Sequence, residues 1–192
     1  TCRQIGDWDI CPVRQKSQNS CAQATISSVI RSISWHNVHE DEISSLLWKE
    51  IWSNSYTPEV GLITNIINSY STKFGSEYFA KVEWWVWDQE LTKLLQEEHA
   101  LVVIPYYSPV WDIHYWQAVR DGKQVTVVSS WWKIIQNGND IKFHEYADST
   151  SHIQYGNLPT LQHLPLDSFL ALRNAALVGY STTLHSLSRL LM

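Results

Sequence analysis

The spacing of apolar residues changes from helical to strand-like partway along the 192-residue chain. Up to about residue 75 the spacing predicts three helices, one from Cys21, one over 40–53 and one over 57–75. Beyond it, short apolar or alternating runs predict strands over 77–83, 100–106, 114–120 and 124–130. Asp121-Gly122-Lys123 joins the last two as a hairpin. Helices followed by antiparallel strands predict an α+β fold, with an N-terminal helical half packed against a C-terminal antiparallel sheet half.

The remaining segments predict a single domain over 1–192. Residues 1–20, interrupted by Gly6 and Pro12, are expected to be an irregular lead-in. Leucines at helical spacing over 182–192 suggest an appended C-terminal helix that docks on the domain or leads to a partner. Weaker patterns predict a helix from Trp87, a loop over 107–113, a strand over 141–146, a loop over 147–162, a helix over 164–170 and a strand over 176–180.

Composition excludes several classes of protein. A net charge of −5 without a basic block argues against nucleic-acid binding. No apolar run approaches the roughly 20 residues that cross a bilayer, so membrane association would need sequence outside these residues.

The chain starts with Thr1 and carries no secretory signal, which suggests a processed or trimmed N-terminus. An exported or extracellular location is slightly favoured over a cytoplasmic one.

Cys21 stands where the first predicted helix begins, six residues after Gln15. Unpaired N–H groups and the positive end of the helix dipole favour a thiolate there. The Gln15 amide can donate to a developing oxyanion, and His114, opening a distant strand, can take the thiol proton. Each residue taken singly is more often structural. Together and in this order they predict a cysteine nucleophile.

The other two cysteines leave two interpretations open. Cys2 and Cys11 either form a disulfide, which leaves Cys21 free, or all three thiols are reduced. The odd count slightly favours the bridge. No Cys-x-x-Cys pair is present, and His36 and His39 lack an evident third ligand nearby, so we expect neither a metal site nor a cofactor.

Eleven tryptophans are unusual for a chain of this length. Most are expected to fill the core and cover its rim. The alternative is an aromatic groove that grips a peptide or a sugar. Trp111, Trp116 and Trp131 are the candidates for that groove because they flank His114 and the end of the following strand.

The order Gln15-x5-Cys21, helix, His114-Tyr115-Trp116 strand and Asp121-Gly122 hairpin resembles the papain-like cysteine peptidases. Within them it is most similar to the bacteriocin-processing, double-glycine leader peptidases and their stand-alone relatives. The resemblance spans most of the chain and includes the Thr57-Pro58-Glu59 helix start. It implies that Cys21 attacks a peptide carbonyl to form an acyl-enzyme, with a peptide or protein as substrate. His114 would be the base and then the acid, and Gln15 would line the oxyanion hole with the Cys21 N–H.

Two residues depart from the family pattern. Ala22 follows the nucleophile where the family usually has glycine. Ser129 most nearly occupies the place of the aspartate that orients the histidine. A serine hydroxyl accepts a hydrogen bond from the imidazole but does not offset its charge. The alternative function is therefore a degenerate peptidase fold that binds a peptide without cutting it. Acyl transfer to an amine instead of water is also open.

Overall fold

The computed structural model describes residues 2–6, 8–11, 13, 21–48, 60–84, 88–96, 101–108, 111–129, 160–167, 169–170 and 180–186. The helices with described bounds are α1 (Cys21–Ser34), α2 (Glu40–Trp48), α3 (Val60–Lys73) and α4 (Asp88–Gln96), and residues 166–167 and 169–170 are also helical. The strands are β1 (Arg3–Ile5), β2 (Trp8–Ile10), β3 (Tyr78–Trp84), β4 (Leu101–Ser108), β5 (Trp111–Asp121), β6 (Gln124–Ser129), β7 (Thr160–Pro165) and β8 (Tyr180–Ser186).

The three N-terminal helices end or begin with recognisable local signals. α2 starts with the acidic run Glu40-Asp41-Glu42, which complements the positive end of the helix dipole. α1 is followed by Trp35 in the left-handed region, with φ 63°, and its N–H donates to the Arg31 carbonyl at 2.9 Å. α3 is followed by Gly75 at φ 66°.

One apolar core joins these helices to both sheets. It includes Ile5, Trp8 and Ile10 of the N-terminal strands, Val119 of β5, and buried residues of α1, α2 and α3. The helical members are Ala22, Ile26, Val29, Ile30, Ile33, Ile43, Leu47, Ile63, Ile66, Ile67 and Tyr70. Burial of these faces is what the helical spacing of apolar residues predicts.

Six strands form one antiparallel sheet in the order β3-β8-β4-β5-β6-β7. β5 lies inside it, between β4 and β6, and β3 is at an edge. The hairpin between β5 and β6 turns at Gly122, with φ 62°, as the Asp121-Gly122 signal predicts. The order of helices and antiparallel strands confirms the α+β prediction.

The N-terminal lead-in is not irregular where the structure describes it. β1 and β2 pair antiparallel through Gln4 and Asp9, and Gly6 turns between them at φ 56°. A disulfide joins Cys2 to Cys11, so the bridge slightly favoured from the odd cysteine count is present. Three-residue strands are too short to show an alternation, and for this reason the pattern was missed.

The C-terminal expectations also need correction. Residues 180–186 form strand β8, which pairs with both β3 and β4, so the helix expected from residue 182 is wrong over 182–186. Pairing on both sides outweighs a leucine spacing that only suggests a helix. β7 takes residues from the expected 147–162 loop and the first two residues of the expected 164–170 helix, whereas residues 166–167 and 169–170 are helical as predicted. β5 starts at Trp111 inside the expected 107–113 loop. The strand predicted over 141–146 lies outside the described residues.

None of the helices in these ranges is both long and apolar enough to cross a membrane. Across the same ranges, His, Cys, Asp and Glu side chains form no group of three that would hold a metal ion.

Candidate active site

Cys21 is the first residue of α1, as predicted. The helix has 14 residues and carries no acidic side chain in its first turn. The N–H groups of that turn have no partners within the helix, and the dipole's positive end lies there. A thiol at this position is in a backbone environment that favours its ionised form.

The Cys2–Cys11 disulfide has a consequence for this thiol. The sequence contains three cysteines, and the bridge takes two of them. Cys21 is therefore the cysteine left free to react. While the disulfide is intact, thiol chemistry in these residues is therefore confined to the start of α1.

His114 lies near the N-terminal end of β5 and pairs with Tyr106 of β4. A β-bulge directly precedes it, where the pairing passes from Tyr106 to Ser108 on β4 and from His114 to Trp111 on β5. Bulges bend a strand, increase its twist and commonly adjoin active sites. The structure therefore places the candidate base beside the main irregularity of the β4–β5 ladder.

Ser129 is the last residue of β6 and pairs with Trp116. Positions 114 and 116 share a face of β5 because strand residues alternate, and position 129 shares it through the pairing. Diagonal neighbours of this kind lie about 7–8 Å apart. The register therefore makes positions 114 and 129 diagonal neighbours on one face of the sheet.

A buried hydrogen bond joins α1 to β5. The Ser28 hydroxyl donates to Oε1 of Gln117 at 2.9 Å, and the two residues are 2 % and 1 % exposed. Cys21 precedes Ser28 by two helical turns, which is about 10 Å along the axis. The two positions therefore lie on the same face of the helix. His114 precedes Gln117 by three strand residues, also about 10 Å. Both candidates are thus equally far from one fixed contact.

Further contacts connect the C-terminal part of β5 to that of α1. Gly6 packs directly against the Arg120 carbonyl near the C-terminal end of β5. Trp8, which follows Gly6 by two residues, has its ring centroid 4.7 Å from that of Tyr78. The Ser76 hydroxyl, which accepts a hydrogen bond from the Tyr78 N–H, donates to the Ile33 carbonyl at 2.7 Å, near the C-terminal end of α1.

The alternation of strand residues gives the face of each position on β5. Gln117 bonds to Ser28 and Val119 belongs to the core with the helices, so these two share one face. Position 114 lies on the alternate face, next to the bulge at the start of the strand. Trp111 and Trp116 both lie on β5, and Gln15 and Trp131 lie outside the described residues.

Ser28 and Gln117 were not singled out by sequence reasoning. The available signals were a Ser27-Ser28 pair between the apolar residues Ile26 and Val29, and a glutamine in the apolar strand after His114. Each is a polar residue at a position where the pattern predicts burial. Nothing in the sequence says that the two face each other.

The fold is similar to that of a known peptidase domain. The peptidase domain of Streptococcus ComA, described as a bifunctional ABC transporter involved in a quorum-sensing pathway, aligns over 91 % of this chain and 96 % of its own, with a TM-score of 0.51. Sequence identity is 12 %, so the likeness concerns the fold. No protein-family model matches the chain, and no curated protein matches its sequence.

Proposed function

We propose that this protein is a papain-like cysteine peptidase that uses Cys21 and His114. The observation that carries the proposal is the Ser28–Gln117 hydrogen bond, which fixes the helix that begins at Cys21 against the strand that bears His114. The fold likeness to a peptidase domain supports it at the level of architecture. A peptide or protein is the proposed substrate.

In the proposed reaction the Cys21 thiolate attacks the carbonyl carbon of a peptide bond. The Cys21 N–H and the Gln15 amide donate to the oxyanion. The His114 imidazolium then protonates the leaving amine as the C–N bond breaks, which leaves an acyl-enzyme. Water, activated by the neutral imidazole, adds to the acyl carbon and releases the acid, and the thiolate–imidazolium pair forms again. Attack by an amine in place of water would give acyl transfer.

Alkylation tests the nucleophile directly because Cys21 is the cysteine outside the disulfide. We expect iodoacetamide to label Cys21 rapidly at pH 6–7, where an ordinary thiol of pKa about 8.5 is largely protonated. His114→Ala should slow labelling and shift its pH dependence toward that of an ordinary thiol. His39→Ala is the matched control, since His39 is exposed and precedes α2. Slow labelling of the wild type that rises only above pH 8 would contradict the proposal.

Cleavage is tested with a peptide library read by mass spectrometry. Products that disappear in Cys21→Ala, and persist in His39→Ala, are the expected result. In the presence of hydroxylamine or an added amine, the ratio of amide product to free acid separates acyl transfer from hydrolysis. Absence of any product, despite fast alkylation, would favour the second function below.

A second function follows from the position of Ser129. Ser129 pairs with Trp116, two positions along β5 from His114, and it is a serine rather than a carboxylate. A serine orients an imidazole without stabilising its positive charge, so the fold is also suited to bind a peptide without cutting it. Peptide binding that Cys21→Ser leaves unchanged, with no cleavage, would select this function. If Ser129→Asp then produces activity, the missing carboxylate is the cause.

A further inference from the structure

We propose that Ser28 and Gln117 are positioning residues for Cys21 and His114, an inference that rests on the peptidase function proposed above. Neither residue is a candidate to touch the substrate. Both are almost completely buried, and their hydrogen bond spans 89 positions of the sequence. It is a specific polar link between the two elements that carry the reacting groups.

The surroundings of this bond would accommodate apolar residues. Ser28 lies in a helix whose other buried positions include Ile26, Val29 and Ile30, and Ala118, which follows Gln117 in β5, is buried as well. A buried hydrogen bond adds little net stability compared with two apolar side chains of similar shape. What distinguishes the hydrogen bond is its dependence on geometry, because it forms only when helix and strand have one particular register.

Gln117 shows a further departure from what stability alone would favour. Its Nε2 is buried and has no hydrogen-bond partner in the part of the chain that the structure describes. Leaving an amide donor without a partner costs about 1–3 kcal/mol. A methionine of similar length would avoid this cost. The glutamine is therefore explained better by the bond it forms to Ser28 than by packing.

Small changes in this register would move the reacting groups substantially. A helix that slips by one residue translates by about 1.5 Å and rotates by about 100°. A strand that slips by one residue moves about 3.3 Å. Misplacement of reacting groups by about 1 Å costs up to about a hundredfold in rate. A directional contact about 10 Å from each group limits such slippage.

The test separates positioning from stability. The variant Ser28→Ala/Gln117→Met removes both polar partners together and leaves no unpaired group at either position. We expect its melting temperature to be unchanged or higher, because the unpartnered Nε2 is also removed. We expect kcat, and the rate at which iodoacetamide labels Cys21, to fall at least about tenfold, with KM changed less.

Ser32→Ala is the matched control. Ser32 is also a buried serine of α1, but its hydroxyl donates at 2.9 Å to the Ser28 carbonyl, which belongs to the same helix. It should leave both rates within about twofold of the wild type. If the double variant does not fold, Ser28→Ala, which removes a single oxygen atom, is measured in its place.

The outcomes distinguish this inference from the function on which it rests. A wild type with neither fast labelling nor cleavage overturns the proposed function and the inference with it. An active wild type whose double variant is equally active overturns the inference and leaves the function standing. The inference also fails if rate and melting temperature fall together, because the pair would then be an ordinary packing contact.

Discussion

Two contacts of different kinds hold β5 against the N-terminal part of the chain, one with the β1–β2 hairpin and one with α1. Near its C-terminal end, Gly6 of the β1–β2 hairpin packs directly against the Arg120 carbonyl, and a disulfide closes the hairpin. In its middle, Gln117 accepts a single hydrogen bond from Ser28. The first contact depends on shape and a covalent bond, whereas the second depends on direction.

The difference assigns a separate task to each region. A close backbone contact stabilises the fold but lies far along β5 from His114. The Ser28–Gln117 bond adds little net stability but sets how α1 meets the strand three residues from His114. Changes near the hairpin should therefore alter stability, and changes at Ser28 and Gln117 should alter rate.

The largest expected effect on stability comes from Gly6→Ala. A Cβ at this position would lie well inside van der Waals contact with the Arg120 carbonyl oxygen, and φ is 56°. Left-handed strain and overpacking together should lower the free energy of unfolding by about 3 kcal/mol or more, as denaturant unfolding would measure. Gly122 has a similar φ of 62°, but a Cβ added there would meet no described atom within 4 Å. Gly122→Ala therefore introduces the backbone strain without the steric overlap and should lower the free energy of unfolding by about 1 kcal/mol. Equal losses in the two variants would show that the close contact is unimportant.

The disulfide should come next. Cys2→Ser/Cys11→Ser opens a loop whose ends are 9 residues apart. A disulfide that closes a loop of this size lowers the entropy of the unfolded chain and so adds about 2–3 kcal/mol to the free energy of unfolding. We expect that loss of unfolding free energy in urea, with kcat at 25 °C changed less than twofold. A large loss of kcat in a fully folded variant would show that the hairpin also positions the site.

Asn68 makes another polar contact between a helix and the sheet, here between a partly buried side chain of α3 and the backbone of edge strand β3. Its amide donates to the Ala80 carbonyl at 2.9 Å and accepts from the Ala80 N–H at 2.6 Å. Asn68→Ala should lower the free energy of unfolding by about 1–3 kcal/mol, since it leaves backbone groups unpaired. Measured on the same peptide substrate, kcat should stay unchanged. A rate loss equal to that of the Ser28 variant would mean that any polar contact between a helix and the sheet has this effect.

The smallest expected effect concerns Tyr70 between α3 and α2. Burial raises the pKa of the Tyr70 phenol to about 12, and the Glu42 carboxylate adds to this because it accepts the phenol's hydrogen bond and repels the phenolate. Because the folded-state pKa is raised, the stabilisation is complete below pH 10 and is lost as the pH rises from about 10 to 12.

Ultraviolet titration of the phenolate band measures this pKa. Tyr70→Phe identifies the transition that belongs to Tyr70, and Glu42→Gln should move it to lower pH. Cys21 labelling at neutral pH should be unaffected in both variants, which keeps this contact separate from the proposed site. If the transition of Tyr70 does not shift in Glu42→Gln, burial alone raises the pKa of the phenol.

Much of the architecture was predictable because its signals are local. The start of α1 at Cys21, the Asp121-Gly122 hairpin and the helices-then-strands order follow from cap, turn and periodicity patterns within a few residues. The β1–β2 hairpin was not predicted, and the strand expected over 176–180 includes only the first residue of β8. Three-residue strands show no period, and β8 depends on partners about 80–110 positions away.

The sequence by itself determined which groups are available for chemistry: one helix-initial cysteine, a histidine on an apolar strand, and Ser129 where a carboxylate is expected. Only the tertiary structure decided which cysteines pair, which strand neighbours which, and that Ser28 meets Gln117. Side-chain periodicity specifies which face of an element is buried but not which element covers it. That choice depends on contacts between residues far apart in the chain, and these form only when the whole fold does.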